Sequence, residues 1–208
     1  RPLRESALAR SEGLLCLRRG WTGLRIWLAR RPGLRLGRRY GGFGWFAQTE
    51  TGPAAAILDV GCGSGRLLHR LHRAGFSDLT GIDPRGVPGI RSGGVPRFLP
   101  ESLDSHVGRY RLVMAHHSFE HVRDPQRAFA AFARLVEPGG WLLLRVPRAD
   151  SEARRRYGAA WVQLDAPRHL HLHTQASIEV LARGSGFCLA GVEDDSGPFQ
   201  IWGSELYK

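Results

Sequence analysis

Short apolar runs alternate with amphipathic segments along most of this chain, and the alternation predicts its main elements. Apolar runs of four to six residues are typical of strands buried on both faces, whereas apolar positions three and four apart are typical of helices. The runs predict strands at residues 55–60, 79–83, 95–99, 112–115, 141–146 and 186–191, with helices at 65–74, 125–136 and 176–183. Strands that alternate with helices indicate an α/β fold with a doubly wound, mostly parallel sheet.

The first predicted strand runs into a turn with three glycines at alternate positions. The motif reads Asp59-Val60-Gly61-Cys62-Gly63-Ser64-Gly65. Glycine tolerates positive φ and, because it has no Cβ, lets a ligand approach the backbone closely. The next strand ends in Asp83, whose carboxylate can accept hydrogen bonds from two ribose hydroxyls. This combination predicts a cofactor that contains a nucleoside. Arg66 argues against a dinucleotide, because the dinucleotide fingerprint has glycine at that position.

Six of the nine histidines fall in two segments that each follow a predicted strand. They are His116, His117 and His121 after the fourth strand, and His169, His171 and His173 after the fifth. Because the carboxyl ends of parallel strands share one edge of the sheet, we expect both segments near the cofactor. Three interpretations are open: a histidine acts as general base, His117, Glu120 and His121 bind a metal with a downstream histidine, or the rings are structural.

Together these motifs resemble those of the class I S-adenosylmethionine-dependent methyltransferases, and within them a bacterial branch that methylates small molecules. Further likeness lies at residues 112–125, 135–142 and 161–170. The resemblance implies a Rossmann-like sheet of seven strands with an antiparallel edge strand, expected at residues 199–207. It also implies S-adenosylmethionine as cofactor. The residues expected to bind it are Asp59, Gly61, Cys62, Gly63, Gly65, Asp83, Glu101 and His116. In the family an acid after the third strand contacts the adenine amino group, and Glu101 or Asp104 is expected in that role.

The resemblance further implies methyl transfer to an oxygen or nitrogen of a small-molecule acceptor. We expect His117 and His169 to handle the acceptor's proton, and Tyr157 and Trp161 to line its pocket in an insert at about residues 148–173. Quinone O-methyltransferases and one family of RNA 2′-O-methyltransferases carry a similar E-x-x-E-H arrangement after the fourth strand. Here His117 stands in place of the first acid, which suits Zn²⁺ better than Mg²⁺, and the sequence assigns no metal ligand.

Positive charge is concentrated at the N-terminus. The first 40 residues hold eleven arginines and two glutamates, which accounts for most of the formal net charge of +11. Leu17, Trp21, Leu24 and Leu28 recur at helical spacing. Residues 1–50 are therefore predicted to be a basic helical segment, truncated at its start, ahead of a methyltransferase domain at 51–208. Contact of this segment with RNA or an anionic membrane is a less favoured alternative, as are an RNA methyltransferase and a catalytically silent cofactor-binding module.

Composition excludes several other classes. Three widely spaced cysteines form neither a disulfide framework nor a metal knuckle, so we expect a cytoplasmic setting. The sequence contains no run of 18 apolar residues, no G-x-S-x-G, no Walker loop and no H-E-x-x-H. These absences disfavour a membrane-spanning protein, a serine hydrolase, a P-loop kinase and a zinc protease.

Overall fold

The computed structural model describes residues 12–19, 49, 51–86, 94–194 and 199–208. Its elements are β1 (Glu12–Arg19), β2 (Ile57–Val60), α1 (Arg66–Arg73), β3 (Leu79–Ile82), β4 (Arg97–Leu99), β5 (Tyr110–His116), α2 (Pro125–Leu135), β6 (Val136–Pro147), α3 (Glu152–Tyr157), α4 (Gln175–Gly184), β7 (Phe187–Asp194) and α5 (Phe199–Glu205). Short 3-10 helices lie at Phe119–His121, Gly158–Ala160 and Val162–Leu164. None of the helices in these ranges is both long and apolar enough to span a membrane.

The strands form one sheet in the order β4-β3-β2-β5-β6-β1-β7. The five strands from β4 to β6 run parallel to their neighbours, which confirms the predicted α/β fold with a mostly parallel sheet. The chain winds outward from β2 to β4 and then returns to β5 on the other side of β2. The carboxyl ends of β2 and β5 therefore flank the crevice in which open α/β sheets bind ligands.

Helices cover both faces of the central strands. One core joins alternate strand residues to α2 and α4, and its members include Leu58, Val113, Leu142, Phe129 and Ile178. The other core joins the intervening strand residues to α1, and its members include Ile57, Leu112, Leu143, Leu68 and Leu71. Because both faces are buried, these strands have continuous apolar runs rather than an alternating pattern.

The predicted N-terminal helix is wrong at residues 12–19. These residues form β1, which pairs antiparallel with β6 on one side and β7 on the other. Leu17, the first position of the predicted helix, is fully buried opposite Leu142 and Leu189. A continuous apolar run such as residues 14–17 suits a strand covered on both faces. The other positions of the predicted helix lie outside the described residues: Trp21, Leu24 and Leu28.

The predicted antiparallel edge strand at residues 199–207 is also wrong, because α5 occupies this segment. Its buried positions are Gln200, Gly203 and Ser204, which are three and four residues apart, as on one face of a helix. Nε1 of Trp161 donates to Gln200 Oε1 at 3.0 Å, and the backbone N of Val162 donates to Ser204 Oγ at 3.0 Å. The helix thus packs against the insert that follows β6.

Candidate active site

The turn between β2 and α1 has a backbone that glycine adopts at little cost. Gly61, Gly63 and Gly65 have φ values of +72°, +53° and +69°. A Cβ on Gly61 would lie 2.5 Å from Ser118 Cβ, and one on Gly65 would lie 2.5 Å from the Phe98 ring. A Cβ on Gly63 would meet no described atom within 4 Å. Packing therefore requires the outer two glycines, and the middle one faces space that a ligand can occupy.

Asp83 closes this turn from the carboxyl end of β3. Its Oδ2 accepts a hydrogen bond from the backbone N of Gly63 at 3.2 Å, and its Oδ1 accepts one from the backbone N of Arg85 at 3.0 Å. Two backbone donors thus hold a buried carboxylate beside the middle glycine. The structure brings together the glycine motif and the acid that the sequence assigns to one cofactor site.

Asp59 supplies a second buried carboxylate, two residues before the turn. Its Oδ1 finds no hydrogen-bond donor in the described part of the chain, and burial raises its pKa to about 7. A buried polar atom of this kind needs a partner. A ligand with a cationic amino group can provide one, so both this oxygen and the open space at Gly63 fit S-adenosylmethionine.

The remaining residues assigned to the cofactor differ in environment. The Cys62 thiol packs on β3, where a Cβ on Gly81 would lie 2.8 Å from its Sγ, and burial raises its pKa to about 12. Burial, followed by the charge of Arg145, lowers the pKa of His116 to about 3, so this ring is neutral at the end of β5. Glu101, two residues beyond β4, lies 2.6 Å from a ring nitrogen of His106.

The two histidine segments meet around Glu120. Its backbone O accepts hydrogen bonds from the backbone N of Leu170 at 2.9 Å and of His171 at 3.2 Å. Its carboxylate is 1% exposed, with Oε1 3.6 Å from His117 Nδ1 and 3.9 Å from His169 Nε2. Neither carboxylate oxygen has a hydrogen-bond donor among the residues described. The structure therefore places both predicted proton-handling histidines next to one buried acid.

Backbone carbonyls fix the tautomers of two rings in this cluster. His121 Nδ1 donates to Arg168 O at 2.8 Å, and His169 Nδ1 donates to Gln163 O at 2.7 Å. Nε2 is then the nitrogen that each ring has left for a proton or a metal ion. Glu120, His121 and His169 each offer a ligand atom, all within 4.8 Å of one another. These donors could hold an ion such as Zn²⁺.

The other two histidines of the second segment have structural surroundings. His171 Nε2 donates to Arg123 O at 3.2 Å. His173 stacks on Phe119 with ring centroids 4.8 Å apart, and burial lowers its pKa to about 4. The structural interpretation therefore accounts for these two rings.

Ser118 joins the histidine cluster to the glycine turn, a role that the sequence analysis missed. Its Oγ donates to Val60 O at 2.7 Å, and its Cβ packs on Gly61. The preceding residue, His117, has a φ of +50°, a conformation that residues other than glycine rarely adopt. No local signal marks the serine, because its partner is 58 residues away.

Tyr157 and Trp161 do not present their polar atoms to this site, contrary to their predicted place in the acceptor pocket. Tyr157 OH donates to Glu205 Oε1 at 2.9 Å, and Trp161 Nε1 donates to Gln200. With Ala153 the two rings form a separate small core under α5. Both side chains are instead bonded to α5, which the sequence analysis had assigned to a strand.

Comparison with known proteins places the chain among methyltransferases. Residues 34–190 match a family described as a methyltransferase domain. The ubiquinone biosynthesis O-methyltransferase of Pectobacterium carotovorum is 33% identical over 128 residues, which cover 55% of this chain and 53% of that protein. The protein of the same name from Erwinia tasmaniensis is 30% identical over 141 residues, which cover 61% of this chain and 58% of that protein. The chain spans about half the length of the curated relatives it matches.

Solved structures share the fold at lower identity. The magnesium protoporphyrin IX methyltransferase of Synechocystis PCC 6803, solved with bound SAH, has a TM-score of 0.52 and 19% identity, and the match covers 80% of this chain and 85% of that one. A SAM-dependent methyltransferase of Thermotoga maritima has a TM-score of 0.50 and 17% identity, and the match covers 73% of this chain and 74% of that one. At these identities the likeness shows the fold alone.

Proposed function

Because this chain belongs to the methyltransferase domain family, we propose that it transfers a methyl group from S-adenosylmethionine to an oxygen of a small molecule. One observation carries the proposal: the Asp83 carboxylate accepts a hydrogen bond from the backbone N of Gly63, beside space that a ligand can occupy. Ser118 links this turn to the cluster around Glu120. The relatives named as ubiquinone biosynthesis O-methyltransferases support a small-molecule oxygen as the acceptor.

The residues around the glycine turn are proposed to bind the cofactor. When bound, S-adenosylmethionine supplies a methyl group on a positively charged sulfur. Asp83 accepts hydrogen bonds from its ribose hydroxyls, and Asp59 accepts one from its amino group. Cys62 shapes the turn, because its thiol packs on β3 and its backbone O accepts a hydrogen bond from the backbone N of Gly65 at 2.9 Å. His116 stays neutral and so adds no charge that would repel the sulfonium.

The cluster around Glu120 is proposed to take up the acceptor's proton. In the neutral ring Nε2 of His169 carries the lone pair, because Nδ1 donates to Gln163 O. A hydroxyl placed against this nitrogen loses its proton to the ring as the oxygen gains the methyl group. The carboxylates of Asp165 and Glu120, 3.5 Å and 3.9 Å from Nε2, stabilise the resulting imidazolium. His117 Nδ1 lies 3.6 Å from the same Glu120 oxygen. The insert at about residues 148–173 contributes His169 and covers the cluster.

The ligand geometry favours a second role for the same residues. A Zn²⁺-type ion on Glu120, His121 and His169 would bind the acceptor oxygen and lower the pKa of its hydroxyl, with no need for a free histidine base. The two roles differ in their response to a chelator. Activity that EDTA abolishes and Zn²⁺ restores supports the metal, and activity that EDTA leaves intact supports the histidine base.

Calorimetry with S-adenosylmethionine and S-adenosylhomocysteine tests cofactor binding. The wild-type chain should bind both, and Asp83→Asn should weaken both by at least about tenfold, because hydrogen bonds to a charged carboxylate are lost. Asp78→Asn is the matched control, since Asp78 forms an exposed ion pair with Arg97 at the other end of β3. Absence of binding by the wild type would refute the proposal.

A screen with tritiated methyl donor tests the acceptor. Phenols and catechols should be labelled, whereas labelled RNA would favour an RNA methyltransferase and no label with intact cofactor binding would favour a silent module. His169→Ala should lower kcat about 100-fold or more while the cofactor Kd stays unchanged. His171→Ala, which changes a ring bonded to Arg123 O in the same segment, should have little effect. Equal losses in both variants would contradict the role of His169.

A further inference from the structure

A buried series of hydrogen bonds supports the segment that follows β4. Oε2 of Glu101 is 2.6 Å from Nδ1 of His106, and Nε2 of His106 is 2.8 Å from the hydroxyl of Tyr110. His106 and Tyr110 are 3% and 7% exposed. The Thr80 hydroxyl forms a hydrogen bond with Tyr110. The hydrogen bonds thus run from the interior of the sheet to Glu101, whose side chain is 40% exposed.

The chemistry of these groups sets the direction of each bond. An ionised carboxylate can only accept, so Nδ1 of His106 carries the proton and donates to Glu101. Nε2 of the neutral ring is then an acceptor. Burial raises the pKa of Tyr110, so its phenol keeps the proton and donates to Nε2. Both nitrogens of His106 are therefore used, while Oε1 of Glu101 receives no hydrogen bond from the residues described.

The sheet places Glu101 beside the proposed ribose site. β3 lies between β2 and β4, and the backbone N of Asp83 donates to Leu99 O, the last residue of β4, at 3.2 Å. A nucleoside with its ribose on Asp83 and its amino-acid end at the glycine turn after β2 extends its base the other way, over the residues after β4. Glu101 offers an accessible carboxylate there. Asp104, the alternative acid, is paired with Arg127 Nε at 3.1 Å.

The resemblance implies that an acid in this segment contacts the exocyclic amine of adenine, and Glu101 is placed for it. We infer that His106, backed by Tyr110, is a positioning residue that holds the Glu101 carboxylate so that its second oxygen faces this amine. The inference rests on the proposed function, because it takes Asp83 as the ribose site. A 6-oxo purine would present an acceptor to this oxygen, and two acceptors cannot form a hydrogen bond. A carboxylate free to rotate would turn away from the oxo group, whereas one held through His106 cannot. The hydrogen bonds from Tyr110 through His106 to Glu101 therefore give the site its selectivity for adenine.

An independent anchor in the same loop separates positioning from simple loop order. The guanidinium of Arg134 donates to the backbone O atoms of His106, Leu103 and Asp104. These bonds hold the loop without passing through the Glu101 side chain. Replacing Arg134 should therefore loosen the loop and leave the bonds between Tyr110, His106 and Glu101 in place.

The test compares two ligands by calorimetry, S-adenosylhomocysteine and S-inosyl-L-homocysteine, whose base carries a 6-oxo group. The wild type should prefer the adenosyl ligand by at least about tenfold. Glu101→Gln should abolish or reverse this preference, because an amide can donate to the oxo group. His106→Leu should reduce it several-fold, and His106→Gln, which can still donate to the carboxylate, should retain more of it. Arg134→Met should lower the Tm and leave the preference unchanged.

The outcomes separate this inference from the function on which it rests. Binding of neither ligand by the wild type would mean that the proposed function is wrong. Asp83→Asn should weaken both ligands equally and keep their ratio. A preference that survives Glu101→Gln would overturn the inference, and so would equal losses of preference in His106→Leu and Arg134→Met. If His106→Leu does not fold, Tyr110→Phe carries the test, because it keeps the ring and removes only the hydroxyl that donates to Nε2.

Discussion

Gly63 and Gly65 both lie in the left-handed range of φ but differ in their surroundings, so alanine at each position separates strain from packing. Both have positive φ, which costs a residue with a Cβ about 1–2 kcal/mol. At Gly63 this is the whole cost, because an added Cβ meets no described atom within 4 Å. At Gly65 the methyl group would lie 2.5 Å from the buried Phe98 ring, and overpacking costs about 1–3 kcal/mol more. Gly65→Ala should therefore lower the free energy of unfolding by about 3 kcal/mol, roughly twice the loss in Gly63→Ala.

Urea denaturation followed by circular dichroism measures both losses of unfolding free energy. Calorimetry of S-adenosylhomocysteine binding should rank the two variants in the opposite order. Gly63→Ala places a methyl group in the space proposed for the ligand, so it should weaken S-adenosylhomocysteine although its fold is nearly intact. Adding Phe98→Leu to Gly65→Ala should recover part of the stability, because the clashing ring is removed. Equal destabilisation by the two alanines, or no recovery in the double variant, would refute the packing argument.

Two further predictions concern buried polar groups. Burial raises the pKa of Asp59 from 3.8 to about 7, so the folded state binds the Asp59 proton more tightly than the unfolded state. The stability gained from this proton is complete below about pH 4 and is lost as the pH rises to 7, and it amounts to about 4 kcal/mol. Asp59→Asn should therefore show a flatter profile of unfolding free energy than the wild type between pH 4 and pH 8, and parallel profiles would contradict the shift. Ser204→Ala should lower the free energy of unfolding by about 1–3 kcal/mol, because the backbone N of Val162 loses its acceptor. In urea denaturation it should cost more than Trp202→Ala on the exposed face of α5, and the reverse order would contradict the packing of this helix against the insert.

The parallel strands could be predicted because their information is local. Strands such as Ile57–Val60 and Leu79–Ile82 are buried on both faces, so their apolar runs stand out between polar segments. The turns after them carry glycines at positions where positive φ leaves little choice of residue. Strand positions and the edge of the sheet that holds the site follow from these two signals together.

β1 and α5 could not be predicted, because distant partners decide their structure. The apolar run in β1 fits a strand or a helix, and its pairing with β6 joins Glu12 to Pro147 across most of the chain. The buried face of α5 consists of Gln200, Gly203 and Ser204, which show no apolar periodicity. Its contacts are hydrogen bonds to the insert, and a hydropathy pattern does not record them.

The candidate site divides in the same way. The link from Gly63 to Asp83 follows from a motif, and the structure brings the two together. The histidine segments could be identified by their composition, but their geometry could not. Only the folded chain shows that His169 lies against Glu120 while His173 stacks on Phe119. His106 was missed, because a single histidine in a loop gives no sign that both its nitrogens are bonded.

The insert after β6 controls the chemistry of the cluster as well as its shape. The carbonyls that fix the two rings belong to Gln163 and Arg168, and the backbone N of Leu170 holds the insert on Glu120 O. If the insert moved away, His121 and His169 would lose the bonds that place the proton of the neutral ring on Nδ1, and the Glu120 carboxylate would become exposed to water. On the proposed function, the segment that covers the acceptor is then also the segment that prepares the group acting on it. A change in the insert should therefore alter the choice of acceptor and the rate of methyl transfer together.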